Sequence, residues 1–258
     1  MQSFLKPAVC VLVFMACSFA GAVEQPILYV LSVGVDAHAL KEGKKDDYGH
    51  DAKVMQKVLK EKCAPLFKEI HSKLLTGENA NKENIIKGLT WLKNNVGTND
   101  VAFVLISAHG AMGKKNGFWI ENAGRDLKNH KDTTLFGNDI KKMMGEISGR
   151  VYFYLDTCAA GAILITTPNN PIPPNVYIVC ACQAKEEAAT MGTKRNWSVL
   201  SKAMAEGMLG KADFNHDGTV TLGELEAYIK MRTPQLNGGQ HPAFAKPKWN
   251  YSVPLTKP

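Results

Sequence analysis

The fold of this chain is decided by residues 151–158, whose sequence is VYFYLDTC. A second run, VAFVLISAHG, occupies residues 101–110 and carries a histidine near its end instead of a cysteine. Both runs are short, continuous and rich in β-branched and aromatic side chains, which is typical of buried parallel strands. Ligand sites in open α/β sheets lie beyond the carboxyl ends of the strands. We therefore expect His109 and Cys158 to meet at one edge of one sheet.

The composition is that of an ordinary globular domain. The chain has 258 residues, of which 45% are hydrophobic and 21% are charged, and this is enough for one sizeable core. The formal net charge is +7, but the lysines are spread over predicted helices and loops and do not cluster beside aromatic residues. This distribution favours a solvated surface and argues against a nucleic-acid partner.

Residues 1–22 have the pattern of a secretory signal peptide. A short segment containing Lys6 precedes an apolar run over residues 8–19, and Ala20-Gly21-Ala22 is a small-x-small cleavage site. The apolar run is too short for a comfortable membrane span, and no later segment qualifies. We expect a secreted or periplasmic protein with one domain over residues 23–258.

Four cysteines remain after the predicted signal peptide: Cys63, Cys158, Cys180 and Cys182. Their spacings form neither a disulfide framework nor a zinc site. In an exported protein, a key cysteine that must stay reduced suggests a reactive role and not a structural one. Cys158 is therefore interpreted as reactive.

The hydrophobic pattern of the rest of the chain alternates between strands and helices. Besides the two runs above, it predicts strands over residues 27–35, 70–75 and 176–182. Helical spacing predicts helices over residues 47–62, 81–94, 138–147 and 196–209, a helix starting near residue 159, and a small hairpin over residues 118–127. This order predicts an α/β fold, a three-layer sandwich with a mostly parallel central sheet.

The histidine and the cysteine suit nucleophilic catalysis as a pair. A free thiol is a few per cent thiolate at pH 7, so it needs an imidazole that accepts its proton and later protonates the leaving amine. The backbone amides of Gly110 and Cys158 are candidates for an oxyanion hole. Either side chain alone is more often structural than catalytic, and their joint occurrence at two strand ends favours catalysis.

Two motifs, with their order and spacing, resemble those of the caspase-like cysteine peptidases. Residues 107–110, SAHG, are similar to the S-G-H-G of metacaspases, and residues 156–161, DTCAAG, to their D-S-C-x-S-G. The resemblance covers roughly residues 27–232 and implies the caspase–haemoglobinase fold and endopeptidase activity. Cys158 would be the nucleophile, His109 the base and then the acid, and the partners would be protein or peptide substrates. The oligomeric state stays open.

The resemblance also implies a substrate pocket, because metacaspases bind Arg or Lys in an acidic primary pocket. Asp156 matches the acid before the cysteine, Asp51 the acid of the family's N-D-A motif, and Ser107 the serine before the histidine. A cationic side chain needs a desolvated carboxylate partner. For Asp51 the alternative is an acid at a helix N-terminus. Tyr48 departs from the family pattern, and a legumain-like preference for Asn or Asp is a second possibility.

Residues 213–224, DFNHDGTVTLGE, fit the calcium-loop pattern D-x-[DN]-x-[DN]-G-x5-E at every defined position. Six residues would supply the oxygen ligands: Asp213, Asn215, Asp217, the Thr219 carbonyl, Thr221 and Glu224. The alternative is an acidic turn that caps a helix. We expect Ca²⁺ to act as a structural clamp here, while the chemistry itself requires no cofactor.

A second class of function is a non-catalytic one. A caspase-like scaffold that has lost turnover could serve as a calcium-binding interaction module. The presence of both His109 and Cys158 favours the enzyme, since a decayed site usually loses one of them.

Overall fold

The computed structural model describes residues 24–36, 47–113, 117–123, 133–191, 197–247 and 253–258. Elements within these ranges are numbered in chain order. The helices are α1 (Tyr48–Cys63), α2 (Lys82–Asn95), α3 (Gly137–Gly145), α4 (Val199–Glu206) and α5 (Leu222–Leu236). The strands are β1 (Leu28–Gly34), β2 (Ile70–Thr76), β3 (Val101–Ser107), β4 (Gly110–Gly113), β5 (Gly117–Ile120), β6 (Leu135–Phe136), β7 (Arg150–Asp156), β8 (Val176–Cys180), β9 (Thr190–Met191), β10 (Trp197–Ser198), β11 (Val220–Thr221), β12 (Ala243–Ala245) and β13 (Pro254–Thr256).

A six-stranded sheet in the order β12-β8-β7-β3-β1-β2 forms the middle layer. The pairings among β8, β7, β3, β1 and β2 are parallel, and β12 joins β8 antiparallel at the edge. Strands β1 and β3 are buried along their whole length, and β7 along all but its first residue. Burial on both faces explains why their sequences are continuous apolar runs. The prediction of an α/β fold with a mostly parallel sheet is confirmed.

Helices cover both faces of this sheet and complete a three-layer sandwich. Along β3, Val104 and Ile106 belong to a core cluster shared with α2 and α3, whereas Phe103 and Leu105 belong to a cluster shared with α1, α4 and α5. Successive side chains of a strand point to opposite faces, so one apolar run supplies both cores.

The segment after Cys158 differs from the expected helix. It is a short 3-10 turn, Ala160–Leu164, preceded by Ala159 in the left-handed region (φ 54°). Gly161 N donates to Cys182 O at 2.9 Å, and a Cβ at Gly161 would lie 2.7 Å from Ala184 N. Gly161 is therefore held against the neighbouring backbone, and the segment does not continue as a regular α-helix.

The expected hairpin also lies elsewhere. Strands β4 and β5 form it over residues 110–120, with Gly110 opposite Ile120, and β6 adds a third antiparallel strand. Gly117, at the start of β5, has a φ of 71°, which a glycine adopts without strain. Residues 124–127, the end of the predicted hairpin, lie outside the described residues.

The predicted signal peptide, residues 1–22, also lies outside the described residues. None of the described helices combines the length and apolar character that a membrane span requires.

Candidate active site

The carboxyl ends of β3 and β7 hold the two motif segments side by side. Ser107 and Asp156 are opposite each other at the last position of the parallel register. Ala108 N then donates to Asp156 O at 3.1 Å, which extends the pairing one residue beyond the strands. The first residues of both motifs are therefore fixed by sheet hydrogen bonds.

Gly110 brings the histidine segment against the cysteine segment. A Cβ at Gly110 would lie 2.7 Å from Thr157 Oγ1 and 2.9 Å from Cys158 O, closer than side chains tolerate. Any larger residue here would push the two segments apart. The structure therefore places His109, the residue before this contact, and Cys158 at adjacent strand ends of one sheet edge.

The Cys158 thiol is partly buried and touches the loop that follows β8. Ala188 N donates to its Sγ at 3.3 Å, and Sγ lies 3.6 Å from Ala188 O. Burial raises the pKa of the Cys158 thiol, the Ala188 amide opposes this, and the charge of Glu187 reinforces it. The thiol is thus a proton-bearing group at rest, and its reaction as a nucleophile requires a base.

His109 is oriented by an aromatic neighbour from α1. The Tyr48 hydroxyl oxygen lies 3.4 Å from His109 Nδ1, and the two rings meet edge to face with centroids 5.2 Å apart. Tyr48 is 6% exposed, so the contact is sheltered from solvent. Sequence reasoning noted Tyr48 as a departure from the metacaspase pattern without assigning it a contact. No local signal links position 48 to position 109.

Asp51, Ser107 and Asp156 come together in the core beside this edge. They are 1%, 0% and 1% exposed. Ser107 Oγ donates to Asp51 Oδ2 at 3.1 Å, and Ser198 N donates to both Asp51 oxygens at 3.2 and 3.3 Å. Asp51 also lies in the first turn of α1, the position of the alternative interpretation. The two interpretations of Asp51 are therefore compatible.

Asp156 is held by the N-terminus of α4. Its Oδ2 accepts from Ser198 Oγ, from Ser201 N at 3.1 Å and from Ser201 Oγ at 2.8 Å. Among the described residues its Oδ1 has no hydrogen-bond partner. Sequence reasoning missed both serines, although the S-x-x-S pattern before an apolar run is a helix N-cap signal. That signal would have located the cap but not the carboxylate that it meets.

The two carboxyl groups form one electrostatic unit. Burial raises the pKa of Asp51 well above its usual range, and the charge of Asp156 adds to this effect. Burial also raises the pKa of Asp156, against the opposing hydrogen bonds from Ser198 and Ser201. Two buried carboxyls that interact this way favour sharing a proton. Burial therefore opposes the presence of two full negative charges on Asp51 and Asp156.

The Asp213–Glu224 segment is a separate acidic loop on the surface. Asp213 accepts from Asp217 N at 3.1 Å and from Gly218 N at 3.0 Å, and Asp217 Oδ1 accepts from Thr219 N at 2.8 Å. Gly218 has a φ of 77°, so this position requires a glycine for an unstrained turn. The carboxylates thus organise their own loop.

Glu224 forms a capping box at the start of α5. Its Oε2 accepts from Thr221 N at 2.9 Å and from Thr221 Oγ1 at 2.8 Å, while Thr221 Oγ1 accepts from Glu224 N at 3.2 Å. Within the described ranges, no group of three or more His, Cys, Asp or Glu side chains is arranged to hold a metal ion. In this arrangement Glu224 satisfies the helix terminus, as the helix-capping alternative expects.

The fold and this sheet edge define the class of protein: a caspase-like cysteine peptidase, with histidine and cysteine at the ends of adjacent parallel strands. Residues 40–250 match the model of the Peptidase C13 family. The chain belongs to that family, which makes it a cysteine peptidase and a hydrolase with protein substrates. The metacaspase branch is not confirmed by this match.

A solved structure supports the fold. The protein GSU0716 from Geobacter sulfurreducens, a structural genomics target, is similar with a TM-score of 0.60, covering 86% of this chain and 94% of that chain. The sequence identity is 13%, so this likeness concerns the fold alone. No curated protein sequence matches the chain.

Proposed function

We propose that this protein is a secreted cysteine endopeptidase that uses a Cys158–His109 dyad. The observation that carries the proposal is the close approach of Gly110 to the Thr157 side chain and the Cys158 carbonyl, which requires a glycine and supports a position of both side chains at one edge. Family membership supports the reaction class. The residue roles rest on this geometry and on the motifs.

The mechanism follows from the state of the thiol. Because burial raises its pKa, Cys158 gives its proton to His109 as Sγ attacks the scissile carbonyl. The amides of Gly110 and Cys158 are proposed to donate to the resulting oxyanion. His109 then protonates the leaving amine, and the C–N bond breaks to leave a thioester on Cys158. Water, deprotonated by His109, hydrolyses the thioester and restores the thiol.

Two specificities are proposed for the residue before the cleaved bond. Preference for Arg or Lys is supported by the clustering of Asp51, Ser107 and Asp156 beside the nucleophile. Preference for Asn or Asp, as in legumain-like peptidases, is supported by the raised pKa values of the two aspartates and by the serines that occupy their oxygens. A cluster that shares a proton suits a hydrogen-bonding side chain better than a cation.

Hydrolysis of fluorogenic peptides tests both parts. Wild type, Cys158→Ala and His109→Ala are compared on peptides ending in Arg, Lys, Asn or Asp. We expect loss of activity by at least about 10³-fold in Cys158→Ala. Equal rates for wild type and Cys158→Ala would exclude the dyad and favour the non-catalytic module. The peptide that is cleaved decides between the two specificities.

We also propose that residues 213–224 bind Ca²⁺ as a structural clamp and that the chain is exported. The calcium proposal is supported by the complete motif and by the turn at Gly218. Export is supported by the pattern of residues 1–22, and N-terminal sequencing of the mature protein tests it. A mature chain that begins at Val23 is expected, whereas a retained Met1 would contradict it.

A further inference from the structure

We propose that Gln240 is a positioning residue for the nucleophile: it fixes both ends of the loop whose backbone amide contacts Cys158. This inference rests on the proposed role of Cys158. It concerns a residue from the C-terminal part of the chain, which neither the motifs nor the dyad includes. Residues 181–189 follow β8 and form the nucleophile loop.

The nucleophile loop makes hydrogen bonds to Cys158 and to Ala159, two successive residues of the cysteine segment. Ala188 N donates to Cys158 Sγ at 3.3 Å, and Ala159 N donates to Glu186 O at 2.9 Å. The Ala188 amide is directed at the atom that becomes negative when the thiol ionises. Hydrogen bonds to an anion are stronger than those to its neutral form, so this amide favours the thiolate.

Gln240 bridges the two ends of the nucleophile loop with one side chain. Its Nε2 donates to Ala181 O at 3.0 Å, and its Oε1 accepts from Ala189 N at 2.9 Å. The residue is 0% exposed, so both hydrogen bonds are made away from solvent. An amide donates and accepts at the same time, which a carboxylate cannot do. The bridge therefore selects an amide of this length.

The backbone around Gln240 is itself anchored to the central sheet. Gln240 N donates to Asn237 O at 3.1 Å in the turn after α5. Three residues later β12 begins, and Ala243 pairs with Cys180, the last residue of β8. Gln240 is thus held next to the β12–β8 edge of the sheet. Through its two hydrogen bonds it keeps the loop that carries the Ala188 amide in a defined position relative to β8.

A second link at the surface is weaker. Glu186 pairs with the ring of His241 at 3.0 Å, and their side chains are 27% and 55% exposed. Burial alone would raise the pKa of Glu186, but the amides of His241 and Gln183 and the His241 ring outweigh it and lower the pKa. Exposed pairs of this kind contribute little. His241→Ala is therefore the matched control for the buried bridge.

Several titratable groups lie close enough to Cys158 to affect the ionisation of its thiol. Asp156 lies on β7 and Glu187 on the nucleophile loop, and the charge of each opposes the thiolate. Cys182 interacts with Cys158 from the start of the same loop, and His109 follows the last residue of β3 by two positions. A Gln240 variant leaves Asp156 in place but releases Glu187 and Cys182 together with Ala188, so a changed titration of Cys158 reports the position of the nucleophile loop as a whole.

The test is the pH dependence of Cys158 alkylation, read by mass spectrometry of the peptide that contains it. Gln240→Glu keeps the size and loses the donor; Gln240→Ala loses both groups. We expect the rate at pH 7 to fall about 10-fold or more in Gln240→Ala, with the profile shifted to higher pH and a smaller shift in Gln240→Glu. The alkylation profile of His241→Ala should match that of wild type. In the Gln240 variants, kcat for peptide hydrolysis should fall by a larger factor than KM rises.

Asn175→Ala controls for stability. Asn175 also bridges backbone carbonyls, those of Ile147 and Gly149, but at the opposite end of β8. It should lower the free energy of unfolding and leave the alkylation profile unchanged. An unchanged profile in folded Gln240→Glu would overturn the proposal, even if Gln240→Ala does not fold. Alkylation needs no turnover, so a wild type without peptidase activity would refute the dyad and leave this test readable.

Discussion

Two clusters in this protein are both built on aspartates, but they differ in burial and in the origin of their hydrogen-bond donors. Asp51 and Asp156 are 1% exposed, and their hydrogen-bond donors come from residues far away in sequence. Asp213 and Asp217 are in an exposed loop, and their donors are amides within five positions. In the first cluster burial drives the carboxyls toward the protonated form. The comparison shows that burial, and not the residue type, raises the pKa of Asp51 and Asp156.

The largest expected effect is that of removing Asp156. Asp156→Ala leaves the buried hydroxyls of Ser198 and Ser201 without their acceptor, while Ser201 N keeps Ser198 Oγ at 3.2 Å. We expect the free energy of unfolding to fall by about 3 kcal/mol, measured by urea denaturation, since each unsatisfied buried group costs roughly 1–3 kcal/mol and relief of repulsion offsets part of it. Asp156→Asn keeps one acceptor oxygen and should lose less. An equal loss in both variants would contradict the role of these hydrogen bonds.

The second prediction concerns the pH dependence of stability. The pKa of Asp51 is raised on folding, so the native state binds the proton more tightly than the unfolded state. Stability is then fully present below the unfolded pKa of about 4 and falls as the pH rises toward the native pKa, by about 1.4 kcal/mol per unit of difference. Asp51→Asn should flatten this decline above about pH 4. A decline as steep as in wild type would show that Asp51 is not a titrating group.

The third prediction tests the exposed cluster with calcium. If the loop binds Ca²⁺, a concentration ten times the dissociation constant stabilises the native state by about 1.4 kcal/mol, seen as a raised Tm. Glu224→Gln should weaken this effect while it keeps an oxygen for the capping box at Thr221. Magnesium at the same concentration is the control for ionic strength. Absence of binding at millimolar calcium would reduce the loop to a helix connector.

The smallest effect is expected for Asp217→Ala without calcium. Its side chain accepts from Thr219 N and from Asn215 Nδ2, and both contacts are exposed. Water replaces an exposed partner, so we expect a loss of about 0.5 kcal/mol in the free energy of unfolding. A loss as large as that of Asp156→Ala would contradict the prediction that the buried cluster contributes more to stability than the exposed one.

Much of the site could be predicted because its signals are local. The runs before His109 and Cys158 specify buried strands, and the sheet rule places their ends together. The structure pairs these strands in parallel, from Val101 opposite Arg150 to Ser107 opposite Asp156. The acidic loop could also be predicted, since the side chains of Asp213, Asp217 and Glu224 make hydrogen bonds within one motif.

The sequence by itself determined the α/β class and the two strands that lead to His109 and Cys158, and it predicted the dyad and the acidic loop. The tertiary structure alone decided that Tyr48 meets His109, that Ser198 and Ser201 hold Asp156, and that Gln240 bridges the nucleophile loop. The physical reason is range. A periodic pattern is set by neighbours along the chain, whereas a contact such as that of Ser198 with Asp51, 147 positions apart, depends on how helices pack on a finished sheet.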